Sequence, residues 1–268
     1  MNLKILSKNL QEKGSIKLPI QFEEDVRPDL IKRAVLAIQS HNRVHYGVSP
    51  VAGKRASAWV SKRRRDYRTC YGKGISRTPR KVLTKRGAQM HWVGAFAPNT
   101  VGGRRAHPPK SSKIWEQKIN KRENRKAIRS ALSASLKINL VKSRGHMPPA
   151  NYPFVLDDEF ESISKTRELK DTLSTLGFEE ELWRTEKRKT RAGKGKLRGR
   201  KYKKTRSLLL VTSKDCNLNK AAGNISGMDV VCIKNINAEL LAPGTVPGRL
   251  TLFTKSAIKE LEDKRLFM

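Results

Sequence analysis

The chain has 268 residues, 37% of them hydrophobic, and a formal net charge of +34. This length allows one sizeable domain or two small ones. No apolar run approaches the ~18 residues that span a bilayer, and residues 1–8 lack the apolar region and cleavage site of a signal peptide. We therefore expect neither a secreted protein nor a membrane partner.

The basic residues are concentrated in three stretches. Residues 53–110, 113–146 and 187–206 together contain 38 of the 58 Lys and Arg residues but only three of the 24 acids. The rest of the chain is close to neutral, with 20 basic and 21 acidic residues. Because no single core absorbs such self-repulsion, the pattern predicts a near-neutral body with cationic extensions. Their leading partner is a polyanion of fixed shape, a nucleic acid.

The N-terminal part of the chain predicts two short strands and a helix. Weak alternation of apolar residues at 3–6 and 17–20 indicates the strands. Pro28 suits the first turn of a helix, and the apolar residues that follow recur at helical spacing. We therefore expect an amphipathic helix over 28–45.

Residues 47–112 interrupt this pattern. They are rich in glycine and basic residues, have no sustained apolar period, and contain Asp66 as their only acid. A structureless stretch of this length is usually functional or bound to a partner. We expect a long, basic, irregular loop that is disordered in the free protein.

Periodicity resumes after this loop. It predicts helices over 115–141 and 164–176, the second ended by Gly177, with a strand at 153–156 between them. A second basic segment spans 187–206. Further strands covered on both faces are predicted at 207–211, 229–233 and 249–253, alternating with short helices at 218–222, 237–241 and 254–261. We expect a single α/β domain over 1–268, with a mostly parallel central sheet flanked by helices.

The cysteines and histidines predict no metal site. Cys70, Cys216 and Cys232 form no CxxC pair and leave one thiol over from any disulfide, which favours reduced thiols in a cytosolic protein. His41 and His45 have a metal-ligand spacing, but no nearby Cys or acid completes a site. We expect no metal and no cofactor.

The stretch 102–109, Gly-Gly-Arg-Arg-Ala-His-Pro-Pro, predicts contact with phosphates. A glycine pair lets the backbone approach a phosphate closely, and Arg104 and Arg105 supply forked donors that match its oxygens. The stretch 71–80 has a similar composition. It is not a nucleotide-binding loop, because no Gly-Lys-Ser/Thr ends it and no strand precedes it. Four aromatic residues near these stretches could stack on bases or pack on one another: Trp59, Tyr67, Tyr71 and Trp92.

Catalysis has little support in the sequence. No Ser/His/Asp or Cys/His signature is present. Asp157, Asp158 and Glu159 could form a metal-dependent phosphodiesterase site, although surface acids that cap a helix explain them more simply. We expect no enzymatic activity. The alternatives are a metal-dependent nuclease and a free regulatory RNA binder that controls its own messenger.

Several of these segments together resemble a known family. The stretch 71–80, Arg86-Gly87 and 102–110 look like the long internal loop of the large-subunit ribosomal protein four family, in its archaeal and eukaryotic branch. Further matches, in the same order along the chain, are 118–123, 127–131, 193–202, 237–244, 248–250 and 254–257. One departure is Gly223, where the family usually has Arg.

The resemblance implies a structural constituent of the large ribosomal subunit, located in the cytoplasm and supporting translation and subunit assembly. Its partners would be large-subunit rRNA, neighbouring large-subunit proteins and the nascent polypeptide, and it would not be a homo-oligomer. The loop would thread into the rRNA, and its tip would help form the constriction of the peptide exit tunnel. The expected tip residues are Gly72, Lys73, Gly74, Arg77, Pro79 and Arg80.

The expected RNA-binding residues are basic side chains from all three cationic stretches. In the loop they are Lys54, Arg55, Lys62, Arg63, Arg64, Arg65, Arg68, Lys81, Lys85, Arg86, Arg104, Arg105, His107 and Lys110. Beyond the loop they are Lys118, Lys121, Arg122, Arg125, Arg191, Lys194, Lys196, Arg198, Arg200 and Lys201.

Overall fold

The computed structural model describes residues 1–66, 69–87 and 89–268. The chain divides into two compact units. The first, called the body below, combines Met1–Asn42 with Glu116–Met268. The second, called the insert, is Arg43–Trp115. The insert has 18 Lys and Arg residues and one acid, whereas the body, which includes most of the other two basic stretches, has 40 Lys and Arg residues and 23 acids. The charge division seen in the sequence therefore coincides with the structural one only in part.

The described residues form short strands and helices throughout the chain. The strands are β1 (Asn2–Leu6), β2 (Glu12–Lys17), β3 (Arg80–Arg86), β4 (Gln89–Gly94), β5 (Val155–Leu156), β6 (Lys189–Thr190), β7 (Tyr202–Lys203), β8 (Leu209–Thr212), β9 (Asp229–Cys232) and β10 (Thr251–Phe253). The helices are α1 (Pro28–His41), α2 (Lys121–Leu136), α3 (Ile138–Ser143), α4 (Thr166–Thr175), α5 (Glu179–Glu186), α6 (Leu218–Ala222), α7 (Ala238–Leu241) and α8 (Lys255–Asp263). The body contains both strands and helices, which confirms the α/β class.

The strands of the body form two three-stranded sheets and a small ribbon. One sheet has the order β10–β8–β9 and is parallel throughout. The other has the order β2–β1–β5, with β1 antiparallel to β2 and parallel to β5. A single parallel bridge joins Leu156 to Thr254. The ribbon pairs β6 with β7 in an antiparallel arrangement.

The expectation of one mostly parallel central sheet is therefore met only in the β10–β8–β9 sheet. The physical reason lies in β2, which returns directly from β1 over a short turn and so must run antiparallel to it. Its residues are mostly exposed, so it carries no apolar alternation from which the pairing could be predicted.

Successive residues of the central strands point to opposite faces and enter two separate cores. Leu209 and Val211 belong to one hydrophobic cluster, whereas Leu208 and Leu210 belong to the other. Helices α1, α2, α7 and α8 contribute to the first cluster, and α3, α4, α5 and α6 contribute to the second. The sheets of the body thus have helices on both faces, which explains the continuous apolar runs of β8 and β10.

Two predicted helices are shorter than expected. Helix α1 ends at His41 rather than at residue 45, because its apolar stripe ends with Ile38 and the next large apolar residue, Val44, is 86% exposed. The predicted helix over 115–141 is two helices. Lys137 between them has an extended backbone, with φ −82° and ψ 102°.

The insert is not irregular throughout. Strands β3 and β4 form an antiparallel hairpin in which Val82 faces Trp92 across the ladder. The chain turns between Arg86 and Gln89, where Gly87 has φ +56°. That backbone region favours glycine in tight hairpin turns.

Candidate nucleic-acid interface

In the insert, the outgoing and returning parts of the chain run side by side at its base. The amide of Val48 donates to the carbonyl of Pro109 over 3.2 Å. A Cβ added to Gly47 would lie 2.3 Å from the amide nitrogen of Ser111, and one added to Gly53 would lie 2.5 Å from the Cα of Arg104. Glycine is therefore required for this approach, which brings the 102–110 stretch alongside Lys54.

The expected tip residues surround one end of the hairpin. Gly72 and Gly74 have φ of +73° and +65°, and both are exposed. Lys73 lies over the Trp92 ring at 5.9 Å, and Arg77 lies over the Tyr71 ring at 4.7 Å. Tyr71 and Trp92 thus pack against cationic side chains of the same chain.

Arg80 is more firmly held than the rest of the expected tip. It begins β3, and its guanidinium donates to the Cys70 Sγ at 3.1 Å and to the Ser76 Oγ at 3.0 Å. It also lies 5.2 Å from the centre of the Trp92 ring. Pro79 accepts the amide of Ala95 over 3.0 Å. The structure thus places Pro79 and Arg80 in the framework of the tip and leaves Lys73 and Arg77 exposed.

An aromatic and cationic cluster in the insert was not predicted from the sequence. Tyr46 stacks on Trp115 with 5.7 Å between ring centres. Arg43 and Lys113 lie 3.8 Å and 4.3 Å from the centre of the Trp115 ring. The cluster borders an open depression of about 550 Å³ that also includes His107. Tyr46 and Trp115 are 69 residues apart in the sequence, so only the pairing of the two chain segments reveals the cluster.

Nearly all the expected RNA-binding side chains are accessible. Arg104 and Arg191 are partly buried, and Arg68 lies outside the described residues, as does Tyr67. The others are exposed: Lys54, Arg55, Lys62, Arg63, Arg64, Arg65, Lys81, Lys85, Arg86, Arg105, His107, Lys110, Lys118, Lys121, Arg122, Arg125, Lys194, Lys196, Arg198, Arg200 and Lys201.

A different set of basic residues forms the ion pairs of the body. Arg129 binds Glu24 at 2.8 Å, and Arg206 binds Asp229 at 3.0 Å. The other pairs with acids involve Lys4, Lys8, Lys13, Arg27, Arg33, Lys126, Lys170, Arg184, Lys234, Arg249 and Lys264. Within the described residues, and leaving Lys85 aside, no expected RNA-binding Lys or Arg is paired with an acid. The acids of the body thus pair with basic residues outside the expected RNA-binding set.

The second basic segment forms one wall of an open groove in the body. The groove has a volume of about 1100 Å³ and lies between the β6–β7 ribbon and residues 223–229. Its basic lining residues are Lys187, Arg188, Arg191, Arg200, Lys201, Lys203, Lys204 and Arg206. Glu186 and Asp229 are the acids in the lining. Gly223, the departure from the family pattern, lies on the opposite wall and adds no side chain there.

A buried polar network is linked to this groove through Arg184, which donates to the carbonyl of the lining residue Arg206 at 2.9 Å. Glu181 is fully buried and accepts hydrogen bonds from His146 at 2.8 Å, Arg184 at 2.6 Å and the Ser207 hydroxyl at 3.1 Å. Burial opposes its ionisation, but the bonds from His146 and Arg184 outweigh burial and lower the pKa of Glu181 to about 2. Burial lowers the pKa of His146, so at neutral pH a neutral imidazole donates from Nδ1 to the carboxylate.

A second buried network lies under the loop that faces the ribbon. Arg249 is 1% exposed and donates to Asp229 at 2.6 Å and to the carbonyls of Ser207 at 2.9 Å and Leu240 at 3.0 Å. Its Nη2 also contacts the carbonyls of Leu208 and Gly227 at 3.3 Å. Burial lowers the pKa of Arg249. These bonds fix the ends of β8 and β9 at the edge of the groove.

Arg144 is held close to this network. Its guanidinium donates to the carbonyls of Pro243 and Val246. Burial, with the charges of Arg249 and Arg184, lowers the pKa of Arg144 to about 10. Arg144 therefore remains charged at neutral pH and serves the structure of the body.

The acids considered for a nuclease site have structural partners. Asp157 binds Lys13 at 2.7 Å, Glu159 binds the same lysine, and Asp158 accepts the Ser256 amide at 2.7 Å at the start of α8. No group of three potential metal ligands occurs in the part of the chain that the structure describes. These carboxylates thus act as pairing and capping groups.

The cysteines and histidines considered for metal binding have ordinary structural surroundings. Cys70, Cys216 and Cys232 are free thiols. His41 and His45 contact the backbone carbonyls of Gln117 and Lys113. Over the described residues, none of the helices has the length and apolar content needed to cross a membrane.

Comparison with known proteins identifies the family. The model of the Ribosomal protein L4/L1 family matches residues 16–264. The chain is 51% identical over 263 residues to the large ribosomal subunit protein uL4 of Nanoarchaeum equitans, covering 97% of each chain. It is 43% identical over 262 residues to the same protein of Archaeoglobus fulgidus, covering 97% of this chain and 98% of the relative. For Methanococcoides burtonii the identity is 45% over 253 residues, with 93% of each chain covered. The chain therefore belongs to the ribosomal protein L4/L1 family, and these relatives place it with the archaeal type.

Proposed function

We propose that this protein is a structural constituent of the large ribosomal subunit that binds and organises rRNA. The observation that carries the proposal is the separation of charge: the acids pair with other basic residues, whereas the expected RNA-binding Lys and Arg side chains of the insert and of 187–206 are mostly exposed and, among the described residues and leaving Lys85 aside, unpaired with acids. A surface of this kind requires a polyanion. The relatives are named as large ribosomal subunit proteins, which supports the RNA of that subunit as the polyanion.

In this proposal the two basic segments act at different places on the RNA. The insert, including the predicted loop over 47–112, enters between RNA helices, with its exposed arginines and lysines on phosphates. The groove beside the β6–β7 ribbon holds a second RNA segment. The protein thus joins distant parts of the rRNA and supports assembly without making or breaking a covalent bond.

The tip of the insert is proposed to contribute to the peptide exit tunnel. Support comes from the resemblance of 71–80 to the family's loop and from the exposure of Gly72, Lys73, Gly74 and Arg77. Pro79 and Arg80 would hold the tip in shape rather than line the channel. The nascent polypeptide would then pass the cationic side chains Lys73 and Arg77.

The salt dependence of RNA binding tests the proposal. The logarithm of the binding constant falls with the logarithm of salt concentration, by about 0.7 to 0.9 per neutralised phosphate. Replacing three exposed cations together (Arg105→Gln, Arg198→Gln and Lys201→Gln) should lower this slope by about 2 to 3. The probe is purified large-subunit rRNA with the full chain.

A matched control removes the same charge from residues that are paired with acids: Lys4→Gln, Arg33→Gln and Lys264→Gln. This triple variant should leave the slope nearly unchanged. Equal reductions by both triples would show that net charge alone governs binding and that the exposed segments have no special role.

A further inference from the structure

One region of the surface has the opposite charge to the rest of the protein. Residues 157–186 contain 10 of the 24 acids and only four Lys or Arg, so this region is net negative in a chain of +34. Helices α4 and α5 lie within it. Trp183 lies on α5 and is 60% exposed, which is a large exposure for a tryptophan.

The surroundings of Trp183 are those of a cation-binding surface. Together with Glu179, Glu180 and Glu186, it borders a shallow depression of about 450 Å³. Lys170 also lines the depression and pairs with Glu186 at 3.1 Å. Glu179 and Glu180 are exposed and, among the described residues, have no ion-pair partner. The ammonium of Lys187 lies 3.3 Å from the centre of the Trp183 ring, so a cation of the same chain already contacts the ring, and the rest of the exposed indole is left for a partner. Acids in the first turn of α5 also interact favourably with the positive end of the helix dipole. That role explains the glutamates but not the exposed indole of Trp183.

We propose that this surface, defined by Glu179, Glu180 and Trp183, binds a lysine-rich segment of another protein. The aliphatic stem of a basic side chain would lie on the Trp183 ring, and its charged head would reach the carboxylates. Tryptophan is among the residue types most enriched at the positions that dominate the energy of a protein interface.

Charge decides between the two classes of macromolecule that could cover this surface. The proposal rests on the proposed function, in which the surroundings are rRNA and the basic proteins that neutralise it. Phosphates are repelled by unpaired carboxylates, whereas a basic protein segment is attracted by them. The acidic face therefore turns toward a protein neighbour, while the basic insert and groove turn toward RNA.

Hydroxyl-radical oxidation and carbodiimide cross-linking of purified large subunits test this inference. Oxidation of Trp183 should fall by about fivefold or more between the free full-length protein and the subunit, because the partner excludes water from the ring. The carbodiimide should join Glu179 or Glu180 to a lysine of a different protein. Mass spectrometry of the linked peptides identifies both residues.

Charge-reversal variants make the test specific. With Glu179→Lys and Glu180→Lys together, Trp183 oxidation in the subunit should return to the level of the free protein while the chain still enters the subunit. The matched control, Glu262→Lys with Asp263→Lys, changes an exposed acidic pair on α8 and should leave Trp183 protected.

Two results would overturn this inference and leave the proposed function intact. One is Trp183 oxidation in the subunit as fast as in the free protein. The other is protection of Trp183 without any carboxylate–lysine link to a protein, which would mean that RNA covers the surface. Absence of the chain from the subunit would instead overturn the proposed function, and this inference with it.

Discussion

Replacement of the buried arginine Arg249 by methionine tests how the body is held together beside the groove. The change removes the 2.6 Å bond to Asp229 and the bonds to the carbonyls of Ser207, Leu240, Leu208 and Gly227. Methionine fills part of the volume but donates no hydrogen bond. Because Arg249 is 1% exposed, little solvent screens the interaction. Removing one partner of a buried, hydrogen-bonded ion pair costs about 3 to 5 kcal/mol of unfolding free energy.

The control for this change is Arg206→Met. Arg206 lies on the surface and binds the same carboxylate, that of Asp229, at a distance of 3.0 Å. The Arg206 side chain is 57% exposed, so its loss should cost no more than about 1 kcal/mol. Urea unfolding of both variants, followed by circular dichroism, measures the two free energies. Equal losses, or a loss below about 1 kcal/mol for Arg249→Met, would refute the role assigned to burial.

Three other changes test separate parts of the structure. Since the pKa of Glu181 is lowered to about 2 from 4.5, its ionisation stabilises the fold above that ordinary value and the effect is lost as pH falls toward 2. Glu181→Gln should therefore flatten the acid limb of stability measured by urea unfolding, and an unchanged limb would contradict the assignment. In the insert, Gly53→Ala should increase proteolysis more than Gly102→Ala. Both positions have positive φ, but only the first brings a Cβ to within 2.5 Å of Arg104, so equal sensitivity would count against the paired segments. Finally, Asp158→Ala should lower the unfolding free energy by about 1 kcal/mol through loss of a helix cap, with RNA left intact in Mg²⁺ by both proteins. Cleavage by the wild type that this change abolishes would restore the nuclease hypothesis.

The sequence predicts the body better than the insert. Helix α6 agrees with its predicted bounds, and α1 and α4 are recognisable because Pro28 and Gly177 mark one end of each. Strands β8, β9 and β10 are continuous apolar runs. In these elements local sequence and tertiary burial favour the same structure, so the pattern is sufficient.

The elements that were missed have few buried residues. Hairpin β3–β4 pairs Val82 with Trp92, but the Lys and Arg residues of β3 interrupt the alternation that would reveal it. Helix α5 begins with three successive glutamates, and one of them, Glu181, is buried in a network that includes His146 from a distant part of the chain. No local pattern distinguishes that glutamate from its exposed neighbours.

The candidate site also has one part that the sequence predicts and one part that it does not. Its charge, and therefore the class of partner, follows from counting residues. The groove beside β6–β7 and the Tyr46–Trp115 cluster depend on contacts between separate segments, and the Trp183 surface lies on helix α5, which the sequence pattern did not predict. They became visible only in the structure.

Sedimentation of the protein with large ribosomal subunits tests the central claim most directly. Cell lysate is separated on sucrose gradients at low salt and at ~0.5 M salt, where exposed electrostatic contacts are largely screened, and the protein is detected in each fraction. A structural constituent whose insert is enclosed by RNA should sediment with the large subunit at both salt concentrations. Sedimentation as free protein at low salt, or loss from the subunit at high salt, would contradict this account.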